Sequence, residues 1–325
     1  MKTYRNPNPS LWSGRRAHEL LYGHQWVHCL PFDPKNQIPP QSFVWIGYAT
    51  DVGVKRNQGR VGARWGPKYV RKAFGKLPIH LDLKRKCFDV GDVGHVKSLE
   101  DIQIEFSQIL GWSLVQRAFP IVVGGGHDGV YPHAIALQTF LKSNRPKARL
   151  GILNLDAHFD CRNPKDQMHS GNSFSKLMAL EDPPHCMFLG IREEANDKRQ
   201  FEFVHQHGLP YFLLESCQKP AKNGVFKALA QWIDQVDAIY LTIDLDGFDA
   251  AHAPGLSAPS PRGFSISFVY KIIDLLAASG KWSSMDIAEF NPKYDQDHRT
   301  ARLGASLIYR AIHQLDKNLN FRSKS

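Results

Sequence analysis

The chain has 325 residues, 42% hydrophobic and 22% charged, a length and composition that allow a full buried core and exclude a disordered or fibrous protein. Its net charge of +10 comes from dispersed lysines and arginines with no RNP, zinc-finger or basic-helix pattern, so no nucleic-acid partner is expected. No apolar run approaches the roughly 20 residues that cross a bilayer, and the N-terminus lacks the apolar core of a secretory signal. The five cysteines (Cys29, Cys87, Cys161, Cys186 and Cys217) are scattered without a CxxC pair. The expectations are a cytoplasmic protein with free thiols and no membrane partner.

In chain order, prolines at NPNP (6–9), PFDP and IPP (31–40) resist regular structure and predict an extended peripheral arm over residues 1–40. Short runs rich in β-branched residues then predict strands at Phe43–Tyr48, Cys87–Val90, Pro120–Val123, Leu150–Leu155, Cys186–Leu189, Pro210–Leu214, Ala238–Ile243 and Ser284–Ala288. Amphipathic stretches between most of them predict helices at Lys68–Lys76, Glu100–Arg117, Tyr131–Ser143, Glu194–His207, Val225–Val236, Ser267–Ser279 and Thr300–His313. Strands alternating with helices build a parallel sheet covered on both faces, so the fold class is α/β. Nothing after the arm reads as a linker, and a single catalytic domain over 1–325 is expected.

Ligands in open α/β sheets sit beyond the carboxyl ends of the strands, and that is where this sequence gathers costly polar groups. Leu150–Leu155 runs into Asp156, His158 and Asp160, spaced two apart so that an extended segment would point all three to one side. Ile121-Val-Val-Gly-Gly-Gly126 runs into His127-Asp128, Ile239–Ile243 into Asp244-Leu245-Asp246, and Trp282–Met285 into Asp286 and Glu289. Each alone has a plainer explanation. Three glycines make a tight turn, and a strand-end Asp caps a helix. DLDGFD (244–249) resembles a calcium loop but lacks the Glu at its twelfth position.

Together, carboxylates and imidazoles converging on one crevice call for cations. Six side chains, His127, Asp156, His158, Asp160, Asp244 and Asp246, suffice for two divalent ions if carboxylates bridge them. Bridging by Asp156 and Asp244 would hold the ions about 3.5 Å apart with an acidified water between them. The oxygen-rich set with two imidazoles favours two Mn²⁺ per chain, with Zn²⁺ or Fe²⁺ as alternatives. Cys161 reads as packing.

These motifs, GGGHD (124–128), DAHFD (156–160), DLDGFD (244–249) and DIAEFNP (286–292), resemble in content and order those of the ureohydrolase (arginase and agmatinase) superfamily, over about residues 43–315. The resemblance implies a three-layer αβα sandwich on a mainly parallel eight-stranded sheet. It implies one manganese on His127, Asp156, Asp160 and Asp244 and another on Asp156, His158, Asp244 and Asp246. Val54–Arg60 with Gly62-Ala63, Ala253–Pro259 with Arg262-Gly263, and Ser170–Phe174 look like loops of the formimidoylglutamase family, whose members split N-formimidoyl-L-glutamate into glutamate and formamide in histidine degradation.

In that reading Asp160 and Glu289 are catalytic, Asp160 passing a proton to the leaving nitrogen and Glu289 facing the cationic amidine. Arg56, Arg60, Ser170, Asn172 and Arg262 are candidate substrate-binding residues, and Arg162 and Arg192 lie just past strand ends. The last loop departs from its relatives: Phe174 stands where arginases carry a histidine, and agmatinases have a histidine at the place of Ser170, one residue from His169. The alternative is an agmatinase-like or guanidino-acid hydrolase releasing urea. The expected partners are a small anionic amidine and further copies of the chain in a homo-oligomer.

Overall fold

A computed structural model describes residues 2–15, 21–80, 85–94 and 98–322. Ten strands form one sheet: β1 (Tyr4–Arg5), β2 (Val27–Cys29), β3 (Phe43–Ala49), β4 (Cys87–Gly94), β5 (Phe119–Val123), β6 (Leu150–Leu155), β7 (His185–Ile191), β8 (Tyr211–Leu213), β9 (Ala238–Asp244) and β10 (Trp282–Ala288). Their order is β1-β4-β3-β5-β10-β9-β6-β7-β8, with β2 also on β4, and every pairing except β1 with β4 is parallel. The count is therefore ten among the described residues rather than the expected eight. The additions are strands of two and three residues at the β4 edge, too short to carry a pattern in sequence.

The central strands are buried on both faces, and alternate residues feed two separate cores. Trp45, Ile121 and Leu241 join one cluster with the helices Gly66–Phe74, Ile266–Ser279 and Arg299–Arg322. Val44, Val122 and Tyr240 join the other with the helices Leu99–Val115 and Val130–Asn144. Helices on both sides of a parallel sheet make the αβα sandwich. None of the helices among the described residues is long and apolar enough to cross a membrane.

The segment expected as a peripheral arm lies at the sheet edge but is packed into it; its residues 1 and 16–20 fall outside the described ones. Trp12 and Trp26 are buried, and Trp12 Nε1 donates to Asp89 Oδ2 at 2.8 Å. The buried Arg71 guanidinium reaches Asp89 and Asp92 at 2.8 and 2.6 Å, so the anchor is a neutralised ionic cluster rather than a lone buried charge.

Candidate metal centre

Register places the site. Val123 of β5 pairs with Ile287 of β10, Ile287 with Ile243 of β9, and Ile243 with Leu155 of β6, so one row of apolar residues crosses four adjacent strands. One step further along lie Asp156 and Asp244, and the turn that presents His127 begins at Gly124. The glycines are sterically required there: a Cβ on Gly125 would run into the Thr50 carbonyl oxygen. The same tight turn brings the Gly125 carbonyl to the Glu289 N–H at 2.8 Å, tying the end of β5 to the end of β10.

The six expected ligands come together in two groups. His127, Asp156, Asp160 and Asp244 form one, and Asp156, His158 and Asp246 the other; within each group the ligand atoms lie within 4.8 Å of one another. Asp156 is common to both. Asp244, expected in both, gathers only with the first. His127 Nδ1 faces Asp160 Oδ2 at 2.8 Å, Asp156 Oδ2 at 3.2 Å and Asp244 Oδ2 at 3.4 Å. His158 Nδ1 lies 3.1 Å from Asp246 Oδ2. The convergence differs from extended alternation: β6 stops at Leu155, the chain bends at Asp156, whose Oδ1 accepts the His158 N–H at 2.7 Å, and Asp160 turns inward with φ +47°. Cys161 is buried beside Gln200, as packing requires.

The electrostatics favour positive charge at this place. Burial raises the Asp160 and Asp244 carboxyls, and Glu289 is pushed up to about 8, by burial first and then by Asp246 despite the bond from the His127 N–H. Burial opposes charge on His127, yet Asp156 and Asp160 outweigh it and hold the imidazole well above its ordinary value. Asp246 Oδ1 is sealed from solvent without a hydrogen-bond partner. Carboxylates this crowded and dry favour hard divalent cations, and the donor set of oxygens with two imidazoles suits Mn²⁺.

A cavity of about 300 Å³ opens above these groups, lined by His158, Asp160, Asp244, Asp246 and Glu289 below and by Asn57, Gln58, Arg60, Arg162, Ser170 and Gln200 around it. Glu289 has φ +64° and its Oε1 accepts the His127 N–H at 2.9 Å, which leaves Oε2 for a ligand.

Of the five candidate substrate residues, the structure brings Ser170 and Arg60 to the cavity. Arg56 does not line it: its guanidinium is spent on Glu100 at 2.8 Å and the Met168 carbonyl at 3.1 Å. Arg262 is drawn to the surface by Glu215 and Glu194. Asn172 is fully buried, accepting the His169 N–H at 2.9 Å and shaping the loop from behind. His169 accepts the Gly171 N–H at 3.1 Å and does not line the cavity. Arg60 is engaged too, its Nε donating to the Ser257 carbonyl at 2.8 Å while the guanidinium covers the Tyr294 ring at 4.0 Å.

Among the described residues that line the cavity, Arg162, which the motifs left unassigned, is a cation with nitrogens to spare. Its Nη1 donates to Asn57 Oδ1 at 2.8 Å, and Asn57 Nδ2 donates to Ser170 Oγ at 3.1 Å. Asn57, Gln58 and Gln200 were not singled out in sequence. The only signal for the first two was their place in the VKRNQGR loop.

A model of the arginase family matches residues 41–313. A formimidoylglutamase of Nocardia farcinica is 39% identical over 311 residues, covering 93% of this chain and 95% of that one. A formimidoylglutamase of Geobacillus thermodenitrificans is 33% identical, covering 95% and 97%. Among solved structures, formimidoylglutamase from Bacillus subtilis has a TM-score of 0.82 at 20% identity over 94% of each chain. Trypanosoma cruzi formiminoglutamase with Mn²⁺ has a TM-score of 0.76 at 23% identity, over 96% of this chain and 99% of that one. The shared fold, the family match across the sheet that carries both acidic groups, and relatives aligned along nearly their whole length lead to one assignment: the chain belongs to the arginase family, and is similar along nearly its whole length to formimidoylglutamases.

Proposed function

We propose that the protein is a dinuclear manganese hydrolase that cleaves N-formimidoyl-L-glutamate with water to L-glutamate and formamide. The observation that carries this reading is the pair of ligand groups sharing Asp156 on the floor of the cavity, with Glu289 beside them and Arg162 at the rim. His127, Asp156, Asp160 and Asp244 would hold one cation and Asp156, His158 and Asp246 the other. When bound, the two ions supply Lewis-acid activation of a water and positive charge against the negative charge that develops on the substrate carbon's substituents.

The chain's own residues do the rest. Glu289 Oε2 receives the amidinium N–H groups and orients the planar carbon. Asp160, free of ligand duty on Oδ1, accepts the proton lost by water and returns it to the departing nitrogen, so the C–N bond breaks with a neutral amine leaving. Arg162, held by Asn57 beside Ser170, meets a substrate carboxylate at the mouth, and the Asn57, Gln58 and Gln200 amides supply further donors. The named relatives support the same substrate.

The test is a substrate panel. The value of kcat/KM for N-formimidoyl-L-glutamate should exceed that for arginine, agmatine and guanidinobutyrate by at least about 10², roughly the worth of two charge-assisted contacts. Arg162→Met should raise KM for that substrate while leaving KM for analogues that lack carboxylates nearly unchanged, so the discrimination between them narrows. Preferential urea release from any guanidino compound would move the function to a guanidino or agmatine hydrolase.

A further inference from the structure

Behind His127 runs a buried chain of hydrogen bonds that neither the motifs nor the proposed reaction uses. His127 Nε2 lies 2.9 Å from Thr242 Oγ1, and the Thr242 hydroxyl donates to Asp286 Oδ1 at 2.7 Å. The other carboxylate oxygen, Asp286 Oδ2, accepts the Tyr240 hydroxyl. Thr242 and Tyr240 are fully buried and Asp286 nearly so, and the His133 ring stacks on Tyr240 with centroids 3.9 Å apart, fixing the phenol from its far side.

A hydroxyl has one proton. If Thr242 gives it to Asp286, its oxygen can only accept from His127, so Nε2 must carry the hydrogen. When a cation displaces the proton that Nδ1 shares with Asp160 and Asp156, it is then the Nδ1 lone pair that the ring presents on that side. Tyr240 keeps its phenol proton, because burial and then the neighbouring carboxylate raise its pKa, and gives it to the second oxygen of Asp286, while the Thr242 hydroxyl gives its own to the first.

We propose that Thr242 and Asp286 are positioning residues that lock His127 in its Nε2–H tautomer and so set the affinity of one cation group and not the other. This rests on the dinuclear reading above. His158, which belongs only to the second group, is absent from the relay, so the effect is selective. Losing such an outer partner typically lowers metal affinity about 10- to 100-fold.

The test measures Mn²⁺ binding by calorimetry and elemental analysis on full-length protein. Thr242→Val keeps the shape and removes the hydroxyl; one of two Mn²⁺ sites should weaken about 10- to 100-fold while the other stays within about 3-fold, and Thr242→Ser should restore both. Unchanged binding, or equal loss at both sites, overturns the proposal while leaving the dinuclear reading standing. Wild-type protein that binds no divalent cation overturns both. Should the valine variant not fold, long-range ¹H–¹⁵N correlation of the wild type loaded with diamagnetic Zn²⁺ decides: a proton on His127 Nε2 is expected, and a proton on Nδ1 refutes the lock.

Discussion

Glu289→Gln separates the charge of this residue from its shape. In the cation-free protein burial raises the carboxyl from 4.5 to about 8, and at about 1.4 kcal/mol per decade this disfavours the ionised form by of order 5 kcal/mol. The sign follows from linkage. A carboxyl whose folded value is raised contributes its stability fully below about 4.5, and that contribution is lost as the pH climbs through about 8.

Glutamine can still accept the His127 N–H through Oε1 but cannot ionise. With chelator present, thermal unfolding at pH 5 should therefore give nearly equal Tm for wild type and variant. By pH 8.5 the variant should be more stable by up to about 5 kcal/mol, a gap of several degrees in Tm. Manganese should reverse the order, because the carboxylate's charge then faces cations, and turnover of the variant should fall by about 10² or more. Parallel Tm curves across this pH range in the cation-free proteins would refute the electrostatic account of Glu289.

Asp156→Ala should empty both cation sites after dialysis, whereas Asp246→Ala should leave close to one Mn²⁺ per chain, as read by elemental analysis; equal retention in the two variants would contradict a shared Asp156. Cation binding should also be proton-linked: with Asp160, Asp244 and Glu289 raised by burial and His127 held above its ordinary value, Mn²⁺ must displace protons, so affinity should rise from pH 6 to pH 8. Calorimetric enthalpies that do not vary with the buffer's ionisation heat would deny this.

The eight longer runs proposed from sequence all became strands; the central ones are continuous apolar stretches buried on both faces, whereas β8 at the edge is only half-buried. β1 and β2 escaped notice because two or three residues pair only when β4 is already there to receive them. The convergence of Asp156, His158 and Asp160 was legible from residue type, but its means was not: a bend and a left-handed Asp160 are set by tertiary contacts. The arginines show the sharper limit. Arg56, Arg60, Arg162 and Arg262 carry the same group, and only the positions of Glu100, Glu215 and the Ser257 carbonyl decide which of them has donors left for a ligand. The short helices Val52–Arg56 and Ser173–Met178, which carry or back parts of the cavity wall, are too brief for a helical period to register.

The strand order has a bearing on how the chain is made. β10 lies between β5 and β9, so Ile121 meets Met285 only after nearly the whole polypeptide has been synthesised. A nascent chain emerging from the ribosome has every candidate ligand in place along its sequence before the strand that joins the two halves of the sheet exists. Until then β5 and β9 each present an open apolar edge, the kind of surface that recruits chaperones or aggregates. On the dinuclear reading, cation capture would await insertion of the last central strand, and a chain released before residue 282 would carry the six candidate ligands without the scaffold that holds them together.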